Sequence, residues 1–102
     1  MAEDDAFGFA PPPFKPDEAL QGLRRALREM GLSERAGTFE RRGLAIARVA
    51  LDDEHTLDAA VVKRPLRAGP EWQRRALRNG ADVREFTQDL KKKLAMWSDR
   101  DD

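Results

Sequence analysis

The sequence predicts an α+β domain: an N-terminal helix, a three- to four-stranded antiparallel sheet and a C-terminal helix, with both helices packed on one sheet face. Three observations carry this expectation. Apolar residues recur at helical spacing near both ends of the chain, as Leu20, Leu23, Leu27 and Met30 and again as Val83, Phe86, Leu90, Leu94 and Trp97. Between these stripes the period changes to alternation, over residues 44–51 and 57–62. The length, 102 residues, suits one domain that can bury a working core without disulfides or metal.

Residues 1–15 read as an arm rich in proline and phenylalanine. Pro11, Pro12 and Pro13 favour an extended polyproline backbone and cannot sit inside a helix or a central strand. Three of the five phenylalanines, Phe7, Phe9 and Phe14, lie here beside Glu3, Asp4 and Asp5. Such segments seldom carry aromatics unless these dock somewhere. Phe14 directly precedes the first helix and is expected in the core, whereas Phe7 and Phe9 lie farther out.

The domain is expected over residues 16–97. Its first helix runs from Pro16 to Met30. Proline suits a first helical position, Asp17 and Glu18 complement the positive end of the dipole, and Gly31 reads as the left-handed residue that ends the helix. Leu32 can then fold back on Leu27. Ser33–Gly37 reads as a loop, followed by extended structure from Thr38 to Leu51 with a tight turn near Arg42-Gly43. In residues 44–51, Ala45, Ala47, Val49 and Leu51 make an apolar face; Leu44, Ile46, Arg48 and Ala50 make a mixed one. Asp52–His55 is a polar turn, and Leu57–Val62 a partner strand, although a short helix over 53–63 is an open alternative because Asp53 could cap it. Residues 65–70 form a loop. Residues 71–78 suit a helix or a strand. The strand is favoured because Asn79 is better used as the cap of the last helix, with Asp82 in the capping-box position. That strand would place Trp72, Arg74, Ala76 and Arg78 on one face. The last helix follows, and Ser98–Asp102 reads as a frayed acidic tail.

Composition limits the chemistry. There is no cysteine, which excludes disulfides and thiol chemistry. No apolar run approaches the roughly 18 residues of a membrane span, and the acidic start lacks a signal-peptide core. A cytoplasmic protein with no membrane partner is therefore expected. The lone histidine, His55, lies in a polar turn whose spacing fits no metal loop, and Ser33 and Ser98 have no nucleophile context. No enzyme, metal or cofactor is expected.

Charge is uneven. The chain carries 19 basic and 19 acidic residues, yet residues 60–93 hold ten basic side chains against four acids, about +6 locally. Two function classes follow. The first is a small non-enzymatic protein-binding or adaptor domain, with Phe7, Phe9 and Pro13 as partner-binding residues, because an extended aromatic-proline segment is a low-entropy ligand. Self-association belongs here too, since a small sheet with a free edge often pairs. The second is a nucleic-acid-binding domain, in which Arg74, Arg75, Arg78, Lys91, Lys92 and Lys93 contact phosphates and Trp72 stacks on bases. The order helix, three strands, helix resembles that of double-stranded-RNA-binding domains in element order alone. Those domains place their lysine cluster at the start of the last helix. Here Lys91–Lys93 lie near its end, so the resemblance transfers no binding residue.

Overall fold

The computed structural model describes residues 14–52 and 56–100, with nothing to be said of the side chains at 99 and 100. It has the expected class, but five strands rather than three to four. The order is α1 (Pro16–Glu29), β1 (Ser33–Arg35), β2 (Thr38–Arg41), β3 (Leu44–Leu51), β4 (Leu57–Val62), β5 (Trp72–Leu77) and α2 (Gly80–Arg100). The strands form an antiparallel meander, β1-β2-β3-β4-β5. Both helices pack on one face of it.

The end of α1 follows from Gly31. Its φ of +94° lets the chain turn back, so that Gly31 N–H donates to the Arg28 carbonyl at 3.0 Å and Leu32 N–H to the Leu27 carbonyl at 3.2 Å. These bonds satisfy helix-end carbonyls and set Leu32 against the core, where both it and Leu27 are buried. At the other end Phe14 packs against the same core, as expected.

Ser33–Arg35, expected within a loop, is the extra strand. A three-residue segment with no apolar side chain leaves no alternation to detect. It is held by its surroundings. Ala36 (φ 52°) and Gly37 (φ 82°) form a two-residue turn that pairs Arg35 with Thr38. Glu34 faces α1, 3.3 Å from Arg28 Nη1 and 3.6 Å from Arg24 Nε. Arg42 (φ 56°) and Gly43 (φ 78°) make the next turn in the same way, where the sequence places it.

One departure from simple alternation matters. Phe39 pairs with Ala47, but Glu40 pairs with Ala45, which leaves Ile46 as an extra residue in a bulge. Ile46 is only 1% exposed and joins the apolar cluster of Phe39 and Ala47, instead of the mixed face expected for it. Leu51, expected on the covered face, is 46% exposed where β3 leaves the sheet. The segment 57–62 is a strand throughout, paired with β3 and β5, and residues 72–77 are likewise a strand and not a helix.

The start of α2 is capped on both sides. Asp82 N–H donates to Asn79 Oδ1 at 2.9 Å, and Asp82 Oδ2 accepts from the Arg78 amide at 3.0 Å. Phe86, Leu90, Leu94 and Trp97 are buried beneath the helix. Its beginning lies over β5, where Asp89 meets Arg75, and its end reaches β2, where Arg41 Nη1 donates to Ser98 Oγ at 2.7 Å. That anchor accounts for a helix reaching Arg100, past the frayed tail expected from Ser98.

Two variants test these assignments. Phe39→Ala, at the centre of the core, is expected to lower unfolding free energy by about 3–5 kcal/mol in a denaturant titration. Ala36→Asn is expected to raise stability by about 0.5–1 kcal/mol, because asparagine tolerates the left-handed conformation that alanine adopts there at a cost. An unchanged or lower midpoint for the second would contradict the turn geometry.

Candidate binding surface

Strand parity decides which candidate residues share a surface. On β5, Gln73, Arg75 and Leu77 face the helices, while Trp72, Arg74 and Ala76 face the other way. No helix packs on that second face among the described residues. Its middle is built by β4, where Ala60 stands between Arg48 of β3 and Arg74 of β5, and Val62 stands opposite Trp72. Both Ala60 and Val62 are buried although no helix covers them. Larger neighbours roof them: the Arg48 guanidinium lies over the Trp72 ring, 4.8 Å from its centre.

Arg74 is held by Asp58, diagonally across the ladder. Nη2 donates to Oδ2 at 2.7 Å and Nε to Oδ1 at 3.4 Å. The hydrogen bond and the charge of Asp58 raise the Arg74 pKa above its ordinary value. A raised basic pKa gives stability below the ordinary value and loses it only as pH climbs past the raised one. The Arg74 end of this pair therefore stays charged across the working pH of proteins.

The nucleic-acid candidates are divided rather than gathered. Trp72 and Arg74 lie on the helix-free face. Arg75 lies on the opposite one, 3.2 Å from Asp89 and 3.6 Å from Glu85, with its guanidinium 5.8 Å from the centre of the Phe86 ring. Lys93 also lies on the helix side, donating to Gln73 Oε1 at 3.3 Å. Lys91 and Lys92 are exposed on α2, and Arg78 is exposed between β5 and α2. The acids that the charge count set against these bases are thus placed directly upon several of them. Phe7, Phe9 and Pro13 lie outside the described residues, as does His55.

Arg48 and Asp58 are not singled out as site residues by the sequence alone. Arg48 did leave a signal, as the single charge within the apolar run Leu44–Leu51. Its place beside Trp72, with only β4 between their strands, becomes visible only once β3, β4 and β5 are in register.

A notch of about 90 Å³ lies between β5 and α2, lined by Val61, Gln73, Arg75, Phe86, Asp89 and Lys93. Ligand pockets are usually several times larger, about 300–1,000 Å³. Among the described residues no group of three or more His, Cys, Asp or Glu side chains could hold a metal ion, and no helix is long and apolar enough to cross a membrane. Compared with known proteins, the chain matches no family, no curated protein and no solved structure.

The two tryptophans should separate in solution. Trp97 is 5% exposed beneath α2, whereas Trp72 is half-buried under Arg48. Acrylamide is expected to quench one emission component and spare the other. Trp72→Phe should remove the quenched component, and Arg48→Ala should make it more accessible. Equal quenching of both rings would contradict the roofed arrangement.

Proposed function

We propose that this chain is a small non-enzymatic protein-binding or adaptor domain whose helix-free sheet face receives the partner. The observation that carries the reading is the stacked Trp72–Arg48 pair on that face. Tryptophan and arginine are the residue types that most often dominate protein interfaces. Beside them stand small side chains, Ala50 on β3 and Ala76 on β5, which allow a partner to approach the strands closely. The ring and guanidinium are already assembled, so little side-chain freedom would be lost on binding.

Nucleic-acid binding is the second reading. In its favour, Arg78, Lys91 and Lys92 are exposed and make no ion pair among the described residues. Against it, Arg74 and Arg75 are committed to Asp58, Asp89 and Glu85, and one side of the Trp72 ring is taken by Arg48. Base stacking requires a free aromatic face, and phosphate contacts require cations free to release counterions.

One comparison distinguishes the two. The full chain, its Trp72→Ala variant and its Lys91→Ala/Lys92→Ala variant are each used for crosslinking capture and for titration with single- and double-stranded nucleic acid at low salt. The protein reading expects a captured partner whose affinity falls about tenfold or more with Trp72→Ala and holds with the lysine variant. Binding to nucleic acid that weakens steeply with salt and depends on the lysines would instead establish the second reading.

A further inference from the structure

Among the described residues no strand pairs with the outer edge of β5. Lys63 N–H donates to the Glu71 carbonyl at 3.0 Å, and the β4–β5 register continues without a shift from Val62–Trp72 to Leu57–Leu77. Hydrogen bonding alternates along an antiparallel ladder. Residues 73, 75 and 77 therefore bond to β4, while the N–H and C=O groups of Trp72, Arg74 and Ala76 point away from the sheet. None of these three has another backbone partner among the described residues. The next outward amide, that of Arg78, is taken by Asp82 Oδ2, which closes the edge at that end. What remains is a template of three donor–acceptor pairs. Arg74 borders it on the helix-free side, with 70% of its side chain exposed, and Arg75 borders it on the helix side.

Direct self-pairing of this edge about its central residue is disfavoured. A two-fold axis through Arg74 would set Arg74 against the same residue of the other copy, a like-charge cross-strand pair. An acidic strand suits the edge better, and the chain contains one, Glu3-Asp4-Asp5-Ala6-Phe7. Laid antiparallel with Asp5 opposite Arg74, this segment sets Asp4 opposite Arg75, Ala6 opposite Gln73 and Phe7 opposite Trp72. Two opposite-charge pairs and an aromatic pair then fall in one register. Asp58 occupies the Nε and Nη2 donors of Arg74, and a guanidinium has five N–H groups, so three remain for Asp5.

We infer that residues 3–7 of one copy add to the outer edge of β5 of a second copy as a sixth strand, with the exchange made reciprocally in a two-fold dimer. Phe14 is packed on its own core, and three successive prolines favour an extended backbone over a tight turn between it and the acidic segment, which suits a reach to a second copy. The inference does not rest on a partner for the helix-free face, and it uses the main chain of β5 rather than the Trp72–Arg48 stack.

Charge exchange in the full chain tests it. Sedimentation across a concentration series should show wild type passing from monomer to dimer, more weakly at high salt. Asp5→Lys alone and Arg74→Glu alone should each dimerise about tenfold more weakly or worse, since like charges then face each other. An equimolar mixture of the two variants should dimerise again, because the reversed arm meets the reversed edge and the native arm meets the native edge. Ala76→Pro removes only an outward N–H, a change that edge strands tolerate, and it should also block the dimer. Thermal melts check that each variant folds. If Arg74→Glu loses its fold beside Asp58, Asp5→Lys and Ala76→Pro still decide the matter. A wild type that stays monomeric, a mixture of folded variants that stays monomeric, or a dimer indifferent to Ala76→Pro would each overturn the inference.

Discussion

The apolar layer between the helices and the sheet has one side only, and the other features of the domain follow from that limit. Leu23 and Leu27 of α1, Phe39, Ala47 and Val61 of the sheet, and Phe86 and Leu90 of α2 meet in it. A chain of 102 residues with this share of charge has few large apolar side chains left for a second layer. The far side of the sheet is therefore finished by other means. Small residues line it, and the long side chains of Arg48, Trp72 and Arg74 lie across them. An arginine does this well because its methylenes cover apolar surface while its charge reaches water.

The same economy organises the charges. Read along the chain, residues 60–93 are strongly basic. Folded, three of these cations meet acids: Arg74 meets Asp58, Arg75 meets Asp89 and Glu85, and Lys63 meets Glu71. Exposed pairs of this kind add little to stability individually. Their larger effect is on the field around the molecule, since a cation with a close anion attracts distant phosphates weakly. The linear count already includes Glu71, Glu85 and Asp89; folding adds Asp58 alone to it, so this half of the surface keeps most of its net positive charge.

How much of this was legible depends on whether each element carries its own pattern. Both helices were, since their stripes repeat over several turns and Gly31 and Asn79 mark their ends. The strands 44–51 and 57–62 were, and so was the split of residues 72–77 into two faces. What escaped the sequence was held by distant partners. β1 has no apolar residue and is set by the Ala36-Gly37 turn and its pairing with β2, with Glu34 meeting Arg24 and Arg28 of α1. The buried Ile46 follows from a bulge against Phe39, which the sequence of β3 alone cannot show. The length of α2 follows from Arg41, which lies 57 residues before the Ser98 it holds. At the surface, the face carrying Trp72 was legible from parity. Its partner Arg48 was not, because two strands must first be aligned between loops of unequal length.

The meander also sets an order of assembly. Each strand pairs with its neighbour in sequence, so the sheet can zip from short-range contacts, which favours rapid folding. The helices are the exception: α1 opens the domain, α2 closes it, and they touch. On a ribosome, all five strands emerge before Phe86, Leu90, Leu94 and Trp97 do. Until α2 arrives, the inner face of an already paired sheet stands half bare to water. The nascent chain is thus most prone to wrong association while α2 is still missing, and the speed at which these 21 residues dock governs how long that exposure lasts.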